Sequence, residues 1–322
     1  VSRTGYNESD LTNYNAESIK ADWGLYYRPI TDNSLELSYV GKVGTGTTIY
    51  QGLNRYNIDG FFQEQHKFEV KHDNFFLRGY LVADKAGDSY DMVFTGININ
   101  RAWKDDNTWF GEYAGTYVLA TLGGATDSQA HAAARAQAES GRYLPGTPEY
   151  QAAFNRSIND PDLSTGSKFQ DASKYYHADG NYNFSHLTKD FADIQVGGSY
   201  RKYSLNSFGT IYTDFDGPID YSEFGIYTQI QNNFELNETM DLKLTGSVRY
   251  DKSEFFDGFF SPRISAGLTV NGSHNIRASL QTGFRNPTTQ DLFIGLDAGR
   301  AILVGAAPEN LDRWTRDYSV SG

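Results

Sequence analysis

Four arginines, Arg201, Arg249, Arg263 and Arg285, are the most concentrated chemistry in the sequence. Each falls on the polar phase of an alternating segment, within a few residues of the same end of it. A guanidinium presents donors in a planar fork that suits carboxylates and phosphates. Four of them at one end of successive strands describe a basic arc. Three roles are open to such an arc: holding an anionic substrate, pairing with carboxylates of a body that plugs the interior, or bonding to acidic side chains of neighbouring strands.

Other reactive groupings are sparse. The sequence has no G-x-S-x-G, no G-x-x-x-x-G-K-[ST], no H-E-x-x-H and no full calcium-loop pattern. Asp160 and Asp162, or Asp214, Asp216 and Asp220, have the oxygen chemistry for Ca²⁺, but acidic turns of this kind are common without it. The six histidines are scattered, with His72, His186 and His274 in short turns. No catalytic residue, cofactor site or metal site is assigned, and no enzyme is expected.

The elements that must position the arginines show a period of two. Ile19, Ala21, Trp23, Leu25 and Tyr27 alternate with polar or small residues, and Leu35, Leu37, Tyr39, Gly41 and Val43 return after PITDNS. Phe62 to Lys71 turns through KHDN into Phe75, Leu77, Gly79, Leu81 and Ala83. Glu64 and His66 sit on the apolar phase there, which places the start of that strand beyond a bilayer. Tyr176, Ala178, Gly180, Tyr182 and Phe184 turn through SHLTKD into Ile194, Val196, Gly198 and Tyr200. Phe224, Ile226, Thr228, Ile230 and Phe234 turn through LNETM into Leu242, Leu244, Gly246, Val248 and Tyr250. Ile264, Ala266, Leu268 and Val270 turn through NGSHN into Ile276, Ala278, Leu280, Thr282 and Phe284. About ten to eleven strands result.

Connections alternate short and long, the long ones at 44–60, 84–172, 204–221, 251–259 and 286–311. Short turns at one end and long loops at the other are the asymmetry of an outer-membrane barrel, whose strands cross the bilayer in ~9–11 residues. A soluble sandwich, the competing all-β class, has no reason to collect every long loop at one end. The largest loop, 84–172, contains the Ala-rich run 127–140 and a second helical start at Pro148–Arg156, with Thr147 as its N-cap.

Composition agrees. Mean hydropathy is -0.56 and no run approaches the ~20 apolar residues of a membrane helix. Barrels escape that test because only alternate residues meet lipid, while aromatics, here 23 Tyr and 21 Phe, gather at the interfaces. The net charge of -12 resides in the long loops, and 84–172 alone carries five more acids than bases. That charge fits solubility and cation bridging to an anionic surface, or attraction of a cationic or metal-bearing ligand. The absence of cysteine removes disulfides and thiolate chemistry. The chain begins VSRTGYNESD and ends RDYSVSG, which reads as an internal segment of a longer protein.

The stretch SPRISAGLTVNGSHNIRASLQTGFRNPTTQDLFIGLDAG, with APENLDRW after it, resembles the later barrel region of TonB-dependent outer-membrane receptors, particularly those of Bacteroidota-type bacteria. The resemblance implies an antiparallel transmembrane β-barrel segment, residues 1–322 forming part of one larger barrel of about 22 strands, with 84–172 as an external insertion. It implies a location in the outer membrane of a Gram-negative bacterium. It also implies active import of a siderophore, glycan, cobalamin or peptide. The implied partners are outer-membrane lipid and lipopolysaccharide, the receptor's own plug, the TonB energising complex, the ligand and, in some receptors, a surface lipoprotein; no nucleic acid is expected. No TonB box, plug or terminal aromatic strand is found in the sequence, so gating residues are not carried over. A passive porin or adhesin is the alternative, and a barrel-embedded hydrolase the more distant one.

Overall fold

The computed structural model describes residues 1–52, 55–188, 191–297 and 302–313. Lys189 and Asp190 of the SHLTKD turn, Ala298 and Gly299 at the end of the FRNP segment, and Trp314 of APENLDRW lie outside them. A turn of helix, α1 (Glu8–Leu11), precedes strands β1 (Glu17–Tyr27), β2 (Leu35–Gln51), β3 (Arg55–His72) and β4 (Phe75–Lys85). The two-residue β5 (Tyr90–Asp91) leads into helices α2 (Met92–Trp103), α3 (Asp106–Leu122), α4 (Asp127–Ala138) and α5 (Pro148–Asn159). The sheet resumes with β6 (Lys174–Asn183), the short α6 (Ser185–Thr188), β7 (Asp193–Leu205), β8 (Ile219–Asn237), β9 (Met240–Ser253), β10 (Phe259–Val270) and β11 (His274–Gln281). Helix α7 (Thr289–Phe293), the small hairpin β12 (Gly295–Asp297) and β13 (Ile302–Val304), and α8 (Asn310–Arg313) follow.

The main sheet has 11 strands, all antiparallel to their neighbours and in sequence order from β1 to β11, with β5 off the path on β3. Its apolar phases stand in register. Trp23, Gly41, His66, Leu81 and Tyr176 form one row, and Leu242, Leu268 and Ile276 another. Leu25, Ile226, Ile264 and Leu280 on this face are 58–75% exposed. A continuous bare apolar face across so many strands exceeds what a water-soluble monomer leaves open, and suits a surface whose solvent is hydrocarbon.

The apolar side chains with no exposure at all belong to the connections, and the other buried ones in the sheet lie at strand ends beside them. Ile99, Trp109 and Phe293 are each 0% exposed, and none is in the main sheet. One cluster packs Leu11, Met92, Ile99 and Tyr150; a second joins Trp109 and Tyr113 to Ala134 and Ala138; a third joins Leu205, Ile219 and Tyr221 to Leu292 and Phe293. The end of the sheet with the long connections therefore has its own packed layer.

Several local features differ from the sequence expectation. The Gly/Thr-rich 44–60 is mostly ladder, running out to Gln51 against Arg55 with a register shift between Gly46 and Thr48. Its glycines and threonines read as loop, but a bulge absorbs the mismatch and lets pairing continue. β2, β3 and β8, at 17, 18 and 19 residues, thus outrun the ~9–11 residues of a bilayer crossing. The last strand stops at Gln281, short of Phe284. The NGSHN turn behaves as its residues dictate: Asn271 and Gly272 take φ of 52° and 66°, the left-handed pair that tight hairpins favour.

The 84–172 insertion is more helical than its sequence suggested. α4 and α5 lie where expected, Thr126 and Thr147 capping them through Gln129 N and Tyr150 N. Helices α2 and α3 were not anticipated. Asp91 and Asp105 cap these with side chains that accept from Val93 N, Phe94 N and Thr108 N. The alanines of α4 explain its weak periodicity: Ala130, Ala134 and Ala138 form one buried stripe, small enough to admit the rings of α3.

Candidate functional site

Two cavities flank the long-connection end, one against the polar face of the sheet and one among the connections. The first brings together two of the four arginines. Arg201 on β7 faces Glu223 on β8 in register, its Nη1 3.9 Å from Glu223 Oε2. Arg249 on β9 donates from Nε to both oxygens of Asp251 at 2.8 Å and from Nη2 to Ser199 Oγ of β7 at 3.0 Å. Its guanidinium lies 5.9 Å from the Tyr227 ring centroid, so one side chain links three strands. Gly225 is opposite Asp251, and a side chain there would run into the Arg249–Asp251 pair.

Asn286 donates from Nδ2 to Glu223 Oε1 at 3.3 Å and roofs this pocket of about 310 Å³, which Tyr203 and Tyr221 also line. Arg263, in register with Ser247 and Gln281, and Arg285, past the end of β11, are both exposed and outside its lining. Each arginine in the pocket already faces a carboxylate. Of the three roles open to the arc, bonding to acidic neighbours is the one this geometry displays. Glu223, Asp251 and Asn286 escaped the sequence reading because their roles depend on cross-strand register and on a chain reversal.

That reversal is built by the segment after β11. It turns back over the polar face, where Phe293 packs against Tyr221 and Phe255, Ile294 bridges to Tyr212, and Thr213 donates from Oγ1 to Asn310 Oδ1 at 2.7 Å. The FRNP junction therefore folds inward over β8 and β7.

The second cavity is larger, about 1340 Å³, and is walled by the N-terminal segment, α2, the start of α3, the 161–164 turn, the 208–215 turn and β12. Two buried phenols fix the N-terminal wall: Tyr90 donates to Leu11 O at 2.8 Å and Tyr150 to Asp10 O at 2.7 Å. Burial pushes the Tyr90 hydroxyl up to about 12 and raises that of Tyr150 as well, so both remain donors. Arg3 reaches Asp106 at 2.7 Å and Arg101 reaches it at 3.0 Å, while Arg55 pairs with Glu8. Burial alone would raise the Asp106 carboxyl, but the hydrogen bonds and charges of Arg3 and Arg101 outweigh it and hold it below the usual range.

The 207–214 turn is organised round one carboxylate. Buried Asp214 accepts from the backbone N–H of Ser207, Phe208 and Gly209 at 2.5–3.0 Å and from Ser207 Oγ at 2.6 Å. Its oxygens are thus spent on the turn. Asp160 and Asp162 are likewise engaged, accepting from Asp162 N, Thr165 Oγ1 and Ser164 N, and Asp220 meets Lys202 at 2.7 Å. Among the described residues no group of three or more His, Cys, Asp or Glu is placed to hold a metal.

An open-ended antiparallel wall, apolar on one face and polar on the other, with all long connections at one end, matches a known class. The family profile described as TonB dependent receptor-like, beta-barrel covers residues 5–315. The chain belongs to this family. A stretch of 111 residues is 30% identical to the vitamin B12 transporter BtuB of Vibrio vulnificus (strain CMCP6), covering 33% of this chain and 17% of that transporter. In a receptor barrel the polar face lines the lumen and the apolar face meets lipid.

Proposed function

We propose that this chain forms part of the wall and external mouth of a TonB-dependent receptor in the Gram-negative outer membrane, and serves active import of a large nutrient. The observation that carries the reading is the placement of the larger cavity. It opens among the long connections, at the end of a sheet whose apolar face suits lipid and whose polar face suits a lumen. External connections capture the ligand, the plug moves when TonB pulls, and the cargo passes along the polar face. The paired charges of Arg201, Glu223, Arg249 and Asp251 hold the lumen wall in shape and offer contacts to the plug. Arg263 and Arg285 remain exposed on or near that wall for plug or cargo.

Residues 1–322 are read as part of one barrel domain, with 84–172 as its external insertion, completed by the rest of the receptor. The proposed partners are outer-membrane lipid and lipopolysaccharide, the plug, the TonB complex, the imported ligand and a surface lipoprotein. No enzymatic step is proposed. The relative's printed cargo is vitamin B12, which supports cobalamin as one candidate beside siderophores, glycans and peptides.

The test is uptake by cells that lack other receptors for the cargo and express the full-length protein. Accumulation should require the receptor and vanish when TonB is removed. Uptake that survives loss of TonB would make the protein a passive pore and end the import reading.

A further inference from the structure

Helix α3 uses only half of its surface. Trp109 and Tyr113 face inward onto Ala134 and Ala138 of α4, and the Arg135 guanidinium lies 5.9 Å from the Trp109 ring centroid and 5.8 Å from that of Tyr113. The helix is thus fixed from its inner side. On the opposite side Gly111, Gly115, Val118 and Leu122 fall on one line, with Ala114 and Leu119 beside it, and all six are exposed. Val118, Leu119 and Leu122 are 52%, 72% and 80% exposed, and no charged residue occurs in α3 after Glu112. A helix that is apolar on both sides belongs between two layers, and the described residues supply one.

The two glycines point the same way. Glycine inside a helix is unfavourable relative to alanine, and close packing against a neighbour is what offsets it. Gly96 of α2 has such a neighbour, since a Cβ there would stand 3.5 Å from Leu11. At Gly111 and Gly115 a Cβ would meet nothing within 4 Å among the described residues. Their smallness leaves a notch beside Ala114, Val118 and Leu119 that lets a second helix come close.

The face is too small to hold a separate chain. A helix of 17 residues is about 25 Å long and offers one neighbour roughly 250 Å², against the ~800 Å² that each partner contributes to a stable interface between chains. A segment of the same polypeptide docks without losing the freedom of an independent molecule, so a small face suffices for it. This chain has about half the length of the vitamin B12 transporter it matches, and a wall completed past β1 and β11 brings further long connections to the same end.

We infer that the outer face of α3 receives an apolar helix from another external connection of the same receptor, outside residues 1–322, with a bulky aliphatic side chain in the Gly111–Gly115 notch. Phe110, at the edge of this face, also lines the larger cavity, so the docked helix bounds the cargo space as well. The inference rests on the reading of residues 1–322 as part of one larger barrel.

Hydroxyl-radical footprinting of the purified, monomeric, full-length wild-type receptor tests it. Leu119 and Leu122 should be oxidised roughly fivefold more slowly than Leu144, a leucine of the same insertion that is 55% exposed, although within residues 1–322 they are the more exposed. Gly115→Leu fills the notch from the open side; it should raise both leucines to the Leu144 rate while Trp109 stays protected. A photo-reactive residue introduced at Leu122 should cross-link to a connection between wall strands. Oxidation of the two leucines at or above the Leu144 rate in the wild-type monomer would overturn the inference, as would Gly115→Leu leaving them protected. Protection seen only on intact cells would assign the face to a separate partner or to lipopolysaccharide, and a cross-link to the plug would replace the occupant; either result overturns it. Exposed leucines in a TonB-dependent importer would end this inference alone, whereas TonB-independent uptake by a receptor with protected leucines would end the import reading alone.

Discussion

Asn286, beyond the last strand of the sheet, donates its side-chain amide to Glu223 of β8 at 3.3 Å, although β9, β10 and β11 separate the two along the chain and in the sheet order. The contact anchors the returning segment where the lumen wall is most charged. Glu223 then serves two partners, since Arg201 approaches its other oxygen at 3.9 Å. Downstream of the contact, Phe293 inserts against Tyr221 and Phe255, and Asn310 donates to Leu292 O and Gly305 O. The inward fold thus has a polar latch at its start and an apolar anchor beyond.

Removing the latch should loosen the fold without unfolding the wall. Asn286→Ala is expected to cost about 1 kcal/mol, the net worth of one part-buried hydrogen bond. Asn286→Asp should cost more, because two carboxylates would then face each other. Limited proteolysis of the full-length receptor reads the outcome: cleavage within 286–313 should quicken in the order wild type, Ala, Asp. Identical rates for all three would show that the latch contributes nothing.

Arg249 is the wall's main polar tie, and its geometry depends on the missing side chain of Gly225. Replacing Arg249 with Leu leaves Asp251, one-fifth exposed, without its bidentate partner. Solvent screening limits the expected loss to about 1–2 kcal/mol. Gly225→Val should cost a comparable amount by displacing the pair, and the double variant should lose less than the sum because both act on one contact. Denaturant midpoints in detergent test this, and strict additivity would refute the shared mechanism.

The strands were legible because lipid on one side and a polar lumen on the other impose a strict period of two, as the rows through Trp23 and Leu242 illustrate. The site was less legible. Arg201 and Arg249 were visible as polar-phase residues, but their partners Glu223 and Asp251 are fixed by the stagger between strands, which a single strand does not encode. Helices α2 and α3 carry Asn, Thr, Gly and aromatic residues that weaken helix propensity, and their stability comes from Ile99, Trp109 and Tyr113 packing against other segments. The left-handed backbone at Phe208 was equally silent, for its N–H is held by Asp214 six residues later.

The connections should respond to pH in two opposite senses. Burial holds the Asp171 carboxyl above its usual range, with Asp84 and Asp214 adding to the rise despite the bonds from Ser173. Its stabilising contribution is therefore complete below the ordinary carboxylate pKa of ~3.9 and is lost as pH rises through the folded value. Asp106 is held low, so its contribution is present above ~3.9 and is lost as pH falls through its folded value. Asp171→Asn should consequently slow amide exchange in 169–173 at pH 7, while Asp106→Asn should speed it in the N-terminal segment bound by Arg3. The reverse pattern would contradict both assignments.

Helices α3 and α4 meet through residues with no space to spare. Ala134 is 0% exposed beneath Trp109 and Tyr113, so Ala134→Leu should cost about 1–3 kcal/mol by overpacking. Trp109→Ala leaves a cavity instead, and about 3–5 kcal/mol is expected. Protease resistance of 106–138 should fall in both, while heat-modifiable migration of the whole receptor persists, because the wall pairs independently of these helices. Loss of migration together with the helices would show that the insertion is needed to form the wall.

Among the described residues the sheet is open: β1 pairs only with β2, and β11 only with β10. Each edge leaves backbone N–H and C=O groups without a partner along 11 and 8 residues. Hydrocarbon offers no substitute, and every unsatisfied group there costs several kcal/mol. Curvature does not remove the problem, because closure at this strand number would also have to accommodate a lumen already occupied by the returning segment and Asn286. Residues 1–322 expressed alone and refolded into detergent are therefore expected to pair edge to edge into oligomers or to aggregate. Cross-linking and gel migration with and without heating distinguish the outcomes, and a monomeric, heat-modifiable barrel from this segment alone would overturn the expectation.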